Sequence, residues 1–132
     1  MATNVLINKF AVKSIFDSKY KSDAADAMKA AAADALSSKL KLVSKIDKGT
    51  KGYTIDGSLV SLAPDKAGKM LEAVCSLAIS NDHGIQATAK GSAAAPITSV
   101  AKLDKDDVKA AVVAAVGSGM KSAVKYMEGT PP

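Results

Sequence analysis

Apolar residues take every second position from Leu71 to Ile79, through Ala73, Cys75 and Leu77. That is the period of a strand with one buried face, and it predicts a strand over Lys69 to Ser80. Asn81-Asp82-His83-Gly84 is a compact reversal. Ile85, Ala87 and Ala89 then resume the same phase, so Ile85 to Ser92 is expected to return as the second arm of a hairpin. Two weaker β runs come before this pair. Leu40, Leu42 and Ile46 suggest a strand ended by the turn-like run Asp47 to Gly52, and Tyr53 to Leu62 follows. These two are expected to form a hairpin of their own, with Ala63 to Gly68 as a loop. At the start, Asn4 to Phe16 is β-rich, but its phase breaks at Asn8-Lys9, which predicts a bulge.

Two segments carry the helical period instead. From Ser22 to about Ser38, Ala24, Met28, Ala31, Ala32, Ala35 and Leu36 form one stripe, with Asp26, Lys29 and Asp34 off it. Ser22 is the expected N-cap, and Asp23 and Asp26 suit the positive end of the helix dipole. Ala93 to Lys102 reads as a connection carrying Pro96. Asp104 then caps a second helix, with Asp107 at its third position and Leu103 and Val108 placed as a hydrophobic staple. This helix is expected to run to about Tyr126. Gly117 and Gly119 weaken its middle by roughly 1 kcal/mol each relative to Ala. They mark a kink or a close crossing with a neighbour.

The order is therefore β-α-β-β-β-β-α. The predicted fold is α+β in one domain over residues 1–132: a mixed, largely antiparallel sheet of about five strands packed with two main helices. The four later strands are expected as an antiparallel meander. The first strand reaches the second across a helix, so that pair is parallel if adjacent.

Composition changes the picture mainly for chemistry. The chain has 132 residues, one His, one Cys and no Trp, and all 18 basic residues are Lys. Arg is the usual bidentate clamp for phosphate and carboxylate, and His the usual proton shuttle and metal ligand. A chain this poor in both is expected not to be an enzyme, and to use no metal or cofactor. No catalytic residue is assigned. Apolar residues make up 48% of the chain but aromatics only 4%, so a thin, Ala-rich, closely spaced core is expected. Cys75 rules out an internal disulfide and reads as a small core side chain. No run approaches the roughly 20 apolar residues of a membrane span. No signal peptide is visible; the expected compartment is the periplasm if one was removed and the cytoplasm otherwise.

The remaining candidate motifs have plainer explanations. In Gly117 to Ser122, Met120 separates Gly119 from Lys121 inside a helical run, which does not match a phosphate loop. His83 has no second His or Cys at ligand spacing, although Asp82 and Asp56 offer oxygen atoms. Asp104, Asp106 and Asp107 are accounted for by the helix start. One charge feature stands above background: Lys39, Lys41, Lys45, Lys48 and Lys51, diluted only by Asp47. On a strand, Lys39, Lys41 and Lys45 would share a face opposite Leu40, Leu42 and Ile46. Such a stripe either guards a sheet edge or binds an acidic partner, nucleic acid or an anionic surface. The net charge of +5 fits either role. Aromatics for base stacking are not interleaved with these lysines.

The segment Tyr53 to Leu62 (YTIDGSLVSL), the strand Met70 to Ser80, the turn at Asn81 to Gly84 and the run Gln86 to Ser92 (QATAKGS) together have a recognisable rhythm. It is similar to that of bacterial envelope proteins of the CsgG, LpoB and TolB amino-terminal type. There a strand of the form xxxxGxVxxL precedes a hairpin with a small-residue run and then a helix. The likeness covers about residues 53 to 126 with the first strand and helix. It implies an anticodon-binding-like α+β sandwich and a protein-binding or assembly role in the cell envelope. It carries over no functional residue, and the chain departs from the group in showing no lipobox Cys near its start. The reading taken forward is a non-enzymatic module that binds another protein. The alternative is a basic module that docks on nucleic acid or an anionic surface through Lys39 to Lys51.

Overall fold

The computed structural model describes residues 2–132. Strand β1 (Thr3–Val12) is followed by a 3-10 turn (Ser18–Tyr20) and helix α1 (Lys21–Asp34). Strands β2 (Leu40–Val43), β3 (Tyr53–Pro64), β4 (Met70–Asn81) and β5 (Gly84–Pro96) come next, then a second 3-10 turn (Val100–Lys102) and helix α2 (Lys105–Gly129). They form one five-stranded sheet in the order β2-β1-β3-β4-β5. The expected α+β class, element order and mixed sheet are all present.

The expected meander of four strands is not. β2 and β3 do not pair; both lie parallel to β1, one on each side of it. Only β3, β4 and β5 form an antiparallel meander. The reason lies in β1, whose Val5 and Ile7 are buried and take the place between them. The connection from β2 to β3 then has to pass the start of β1. Gly52 makes that passage: a side chain there would meet Ile46 Cδ1 at 2.9 Å and the Asn4 carbonyl oxygen at 3.0 Å.

The predicted bulge at Asn8-Lys9 is present, between Ile7 and Phe10. It moves the inward phase from Val5 and Ile7 to Phe10 and Val12. Asp56 holds it: its Oδ1 accepts from Asn8 Nδ2 at 2.9 Å and from the Lys9 N–H at 3.1 Å. Asp56→Ala removes both bonds, and a loss of about 1 kcal/mol is expected from urea unfolding midpoints. An Asp56→Asn variant, which keeps an acceptor, should lose less.

Both helices cover one face of the sheet and share a single core. The sheet supplies large buried side chains such as Ile55, Leu59, Leu71 and Leu77, while α1 supplies Ala24, Met28 and Ala32, and α2 Val108, Val112, Val116 and Met120. The opposite face carries Thr54, Ser58, Ser76, Ala78, Ser80 and Thr88, and among the described residues no element packs over it. The expected thin core appears where α2 crosses β5. A Cβ on Gly91 would overlap the Ala115 carbonyl oxygen and sit 2.6 Å from Gly119 N. Gly119 is thus the close crossing, whereas Gly117 has nothing within 4 Å of its Cβ position.

Several element ends differ: β1 stops at Val12 and not at Phe16, β3 runs on to Pro64, and α2 runs on to Gly129. α1 begins at Lys21, not after a Ser22 cap, because Asp17 accepts from Lys19 N and starts a 3-10 turn that leads into the helix. α1 also ends at Asp34, short of Ser38. β5 runs on to Pro96, since Ala93 and Ala95 continue to pack against the core and Ile97 N donates to the Lys69 carbonyl. Ile85 is 67% exposed and out of phase with Ala87, because a bulge between them turns it towards the uncovered face. The start of α2 is as predicted: Asp104 accepts from Asp106 N and Asp107 N, and Asp107 returns the bond to Asp104 N at 3.0 Å.

Candidate functional site

The sheet has two free edges, and they are built differently. β5 is long, and α2 lies along it. β2 spans only Leu40–Val43 and carries the lysines. Lys39 precedes it, Lys41 lies within it, and Lys45, Lys48 and Lys51 are in the loop to β3; all five are exposed. Lys41 stands beside Asn4 on the uncovered face. The expected single face for Lys39, Lys41 and Lys45 does not form, because the backbone leaves the sheet at Val43 before the alternation reaches Lys45. Lys45 Nζ instead lies 3.4 Å from Asp47 Oδ1, with both side chains solvent-exposed. A pair so exposed fixes little. What the fold brings together is therefore a basic edge and loop in place of a stripe.

The helix side of the same edge is apolar. Leu40 is buried, but Leu42 is 53% exposed. A groove of about 660 Å³ runs between it and α1, with Ile7 and Val43 on the sheet side and Ala30 and Ala33 on the helix side; Asp26 and Lys29 are at its rim. A second groove of about 580 Å³ lies between α1 and α2, lined by Ala27, Ala31, Val113 and Gly117. The alternation predicts an inward Leu42; it is exposed because α1 packs on β1 and β3 and leaves a groove between itself and β2.

The other candidates resolve into structure. His83 Nε2 lies 3.6 Å from Asp82 Oδ1, and both side chains are about 80% exposed. Asn81 Oδ1 accepts from His83 N at 2.8 Å, which shapes the turn. Among the described residues, no group of three His, Cys, Asp or Glu is placed to hold a metal ion. Gly117 to Ser122 lies within α2. Among the described residues, no helix is long and apolar enough to cross a membrane.

Cys75 is fully buried, and burial pushes its thiol above the ordinary value of 9.0, against a smaller lowering by hydrogen bonding to the Gly91 backbone. Tyr53 is buried too; its hydroxyl donates to the Thr130 carbonyl at 2.7 Å. Burial, then Tyr126, raises it above 10.0. Both groups hold their protons more tightly when folded. Their contribution is fully present below the unfolded values and is lost as pH climbs through the folded ones. Stability is expected to hold up to about pH 9 and fall beyond it. In a Cys75→Ala variant the onset should move towards the Tyr53 range, as read from thermal midpoints across alkaline buffers.

No family model matches the chain, and no curated protein matches it. Solved structures do. A Xanthomonas campestris protein of family DUF330 is similar with a TM-score of 0.60 at 14% identity, over 94% of this chain and 82% of that one. A putative neuraminyllactose-binding hemagglutinin homolog from Helicobacter pylori gives 0.54 at 14% identity, over 96% and 82%. A PelC dodecamer from Paraburkholderia phytofirmans gives 0.50 at 7% identity, over 88% and 84%. At these identities the likeness is one of fold. It supports the coarser part of the sequence resemblance and does not single out the CsgG, LpoB and TolB group. The chain shares an α+β fold with bacterial proteins, one of which is a dodecamer.

Proposed function

We propose that this protein is a non-enzymatic binding or assembly module that acts on another protein, as an accessory of the bacterial cell envelope. The observation that carries the reading is the β2 edge: an uncovered strand with Leu42 half in solvent beside an apolar groove. Exposed apolar surface next to unpaired strand backbone is what protein partners cover. The shared fold with a dodecamer-forming protein and a hemagglutinin homolog adds support for assembly and for the envelope.

A second reading has an observation of its own. Five exposed lysines on one edge and loop would also suit nucleic acid or an anionic surface. The two readings part on salt. Phosphate contacts release counterions, so docking of that kind weakens steeply as salt rises. Affinity capture from a bacterial lysate, at low and high salt, with nuclease and with a Lys41→Glu/Lys45→Glu variant, separates them. A protein that stays bound through salt and nuclease supports the assembly module. Binding lost under salt, nuclease and charge reversal together overturns it and makes the lysines the working surface.

A further inference from the structure

Resting on that reading, we infer that the β2 edge receives an extended segment of a partner protein in which apolar and acidic residues alternate, added as a sixth strand of the sheet.

The backbone supplies the first half of the argument. The Lys39 carbonyl accepts from Thr3 N at 3.0 Å, so Lys39 faces β1. Alternation along a strand then turns the backbone groups of Leu40 and Leu42 away from the sheet. Leu40 N is taken by the Ser37 carbonyl at 3.0 Å. The Leu40 carbonyl and both backbone groups of Leu42 have no partner among the described residues. They offer an acceptor, a donor and an acceptor in a row, which is the pattern an added strand uses.

The side chains supply the second half, because the two faces of the edge differ. On the helix side, a residue of an added strand would lie against Leu42 and the groove walled by Ala30 and Ala33. That position selects an apolar side chain. On the uncovered side, the neighbouring residue would lie beside Lys41 and near Lys39, both exposed. That position selects a carboxylate. A strand places successive side chains on opposite faces, so the complement is strict alternation of apolar with acidic. The lysines then do two things at once. They disfavour pairing with a second copy's β2, which would set Lys against Lys, and they favour an acidic strand.

The test is a titration of the whole protein with a short capped peptide alternating Glu and Val, beside a peptide of Glu alone. The expected result is saturable binding of the alternating peptide, with slowed hydrogen exchange at the Leu42 amide. Lys41→Glu and, separately, Leu42→Ser are each expected to weaken it about tenfold. Both side chains are exposed, so neither change removes a core contact. The inference is overturned by an absence of saturable binding, by equal binding of the Glu-only peptide, or by protection on β5 in place of Leu42. If the peptide fails while a salt-resistant protein is still captured from lysate, the assembly role stands and only the addition of an apolar–acidic strand is excluded.

Discussion

Gly91→Ala is expected to destabilise the protein by about 3 kcal/mol, at the upper end of what overpacking usually costs. The new methyl group would point at the Ala115 carbonyl oxygen and Gly119 N, which are backbone atoms of α2. No flexible side chain is there to move aside. The helix would have to lift from β5 and open a gap above Cys75, the residue paired with Gly91. Gly117→Ala, two residues from the crossing, is the control. Nothing lies within 4 Å of its Cβ position, and Ala is better than Gly in a helix by roughly 1 kcal/mol. The first variant should lower the urea midpoint and the second raise it. If both moved it the same way, the close crossing would not be what holds α2 on the sheet.

Leu77→Ala is expected to cost still more, about 4 kcal/mol. Leu77 is fully buried at the centre of β4. Its two methyl groups each lie 3.2 Å from where side chains on Gly57 and Gly119 would begin, and its partner on β5 is Ala89. It therefore fills the space left by three small residues. When it is cut back, none of them can reach into the hole, so little of the cavity closes. Leu62→Ala, elsewhere in the same core, gives the comparison: Leu77 should be the more costly of the two in the same unfolding assay.

Much of this arrangement can be read from the chain, and the part that cannot has a physical cause. The β4 alternation, the Asn8-Lys9 bulge and the Asp104 cap are local patterns, and each stands where the sequence places it. The partner of β2 is not local. Hydrophobic period says that Leu40 and Leu42 are extended but not which strand they lie beside, and β1 took the position expected of β3. Gly91 did carry a signal, since glycine inside a strand marks a close backbone approach. Gly119 of α2 pointed to the same crossing from the other side, whereas Gly117 takes no part in it. The site was legible in its charge and not in its shape. The lysines are plain in the sequence, but where they point depends on the chain leaving the sheet at Val43, and Leu42 is exposed because α1 packs on β1 and β3 and not on β2. Asp56 was one of several oxygen-bearing residues in the sequence; its work in holding the bulge appears only when β1 and β3 are side by side.

The central claim is that a protein covers the β2 edge. Photo-crosslinking in the bacterial cell tests it most directly, with a benzophenone amino acid in place of Lys41 and, separately, in place of Thr88 on the uncovered face of β5. The account predicts a discrete protein adduct from position 41, formed at high and low salt alike, and none from position 88. Adducts that vanish with nuclease, or a protein captured from position 88 and not from 41, would contradict it.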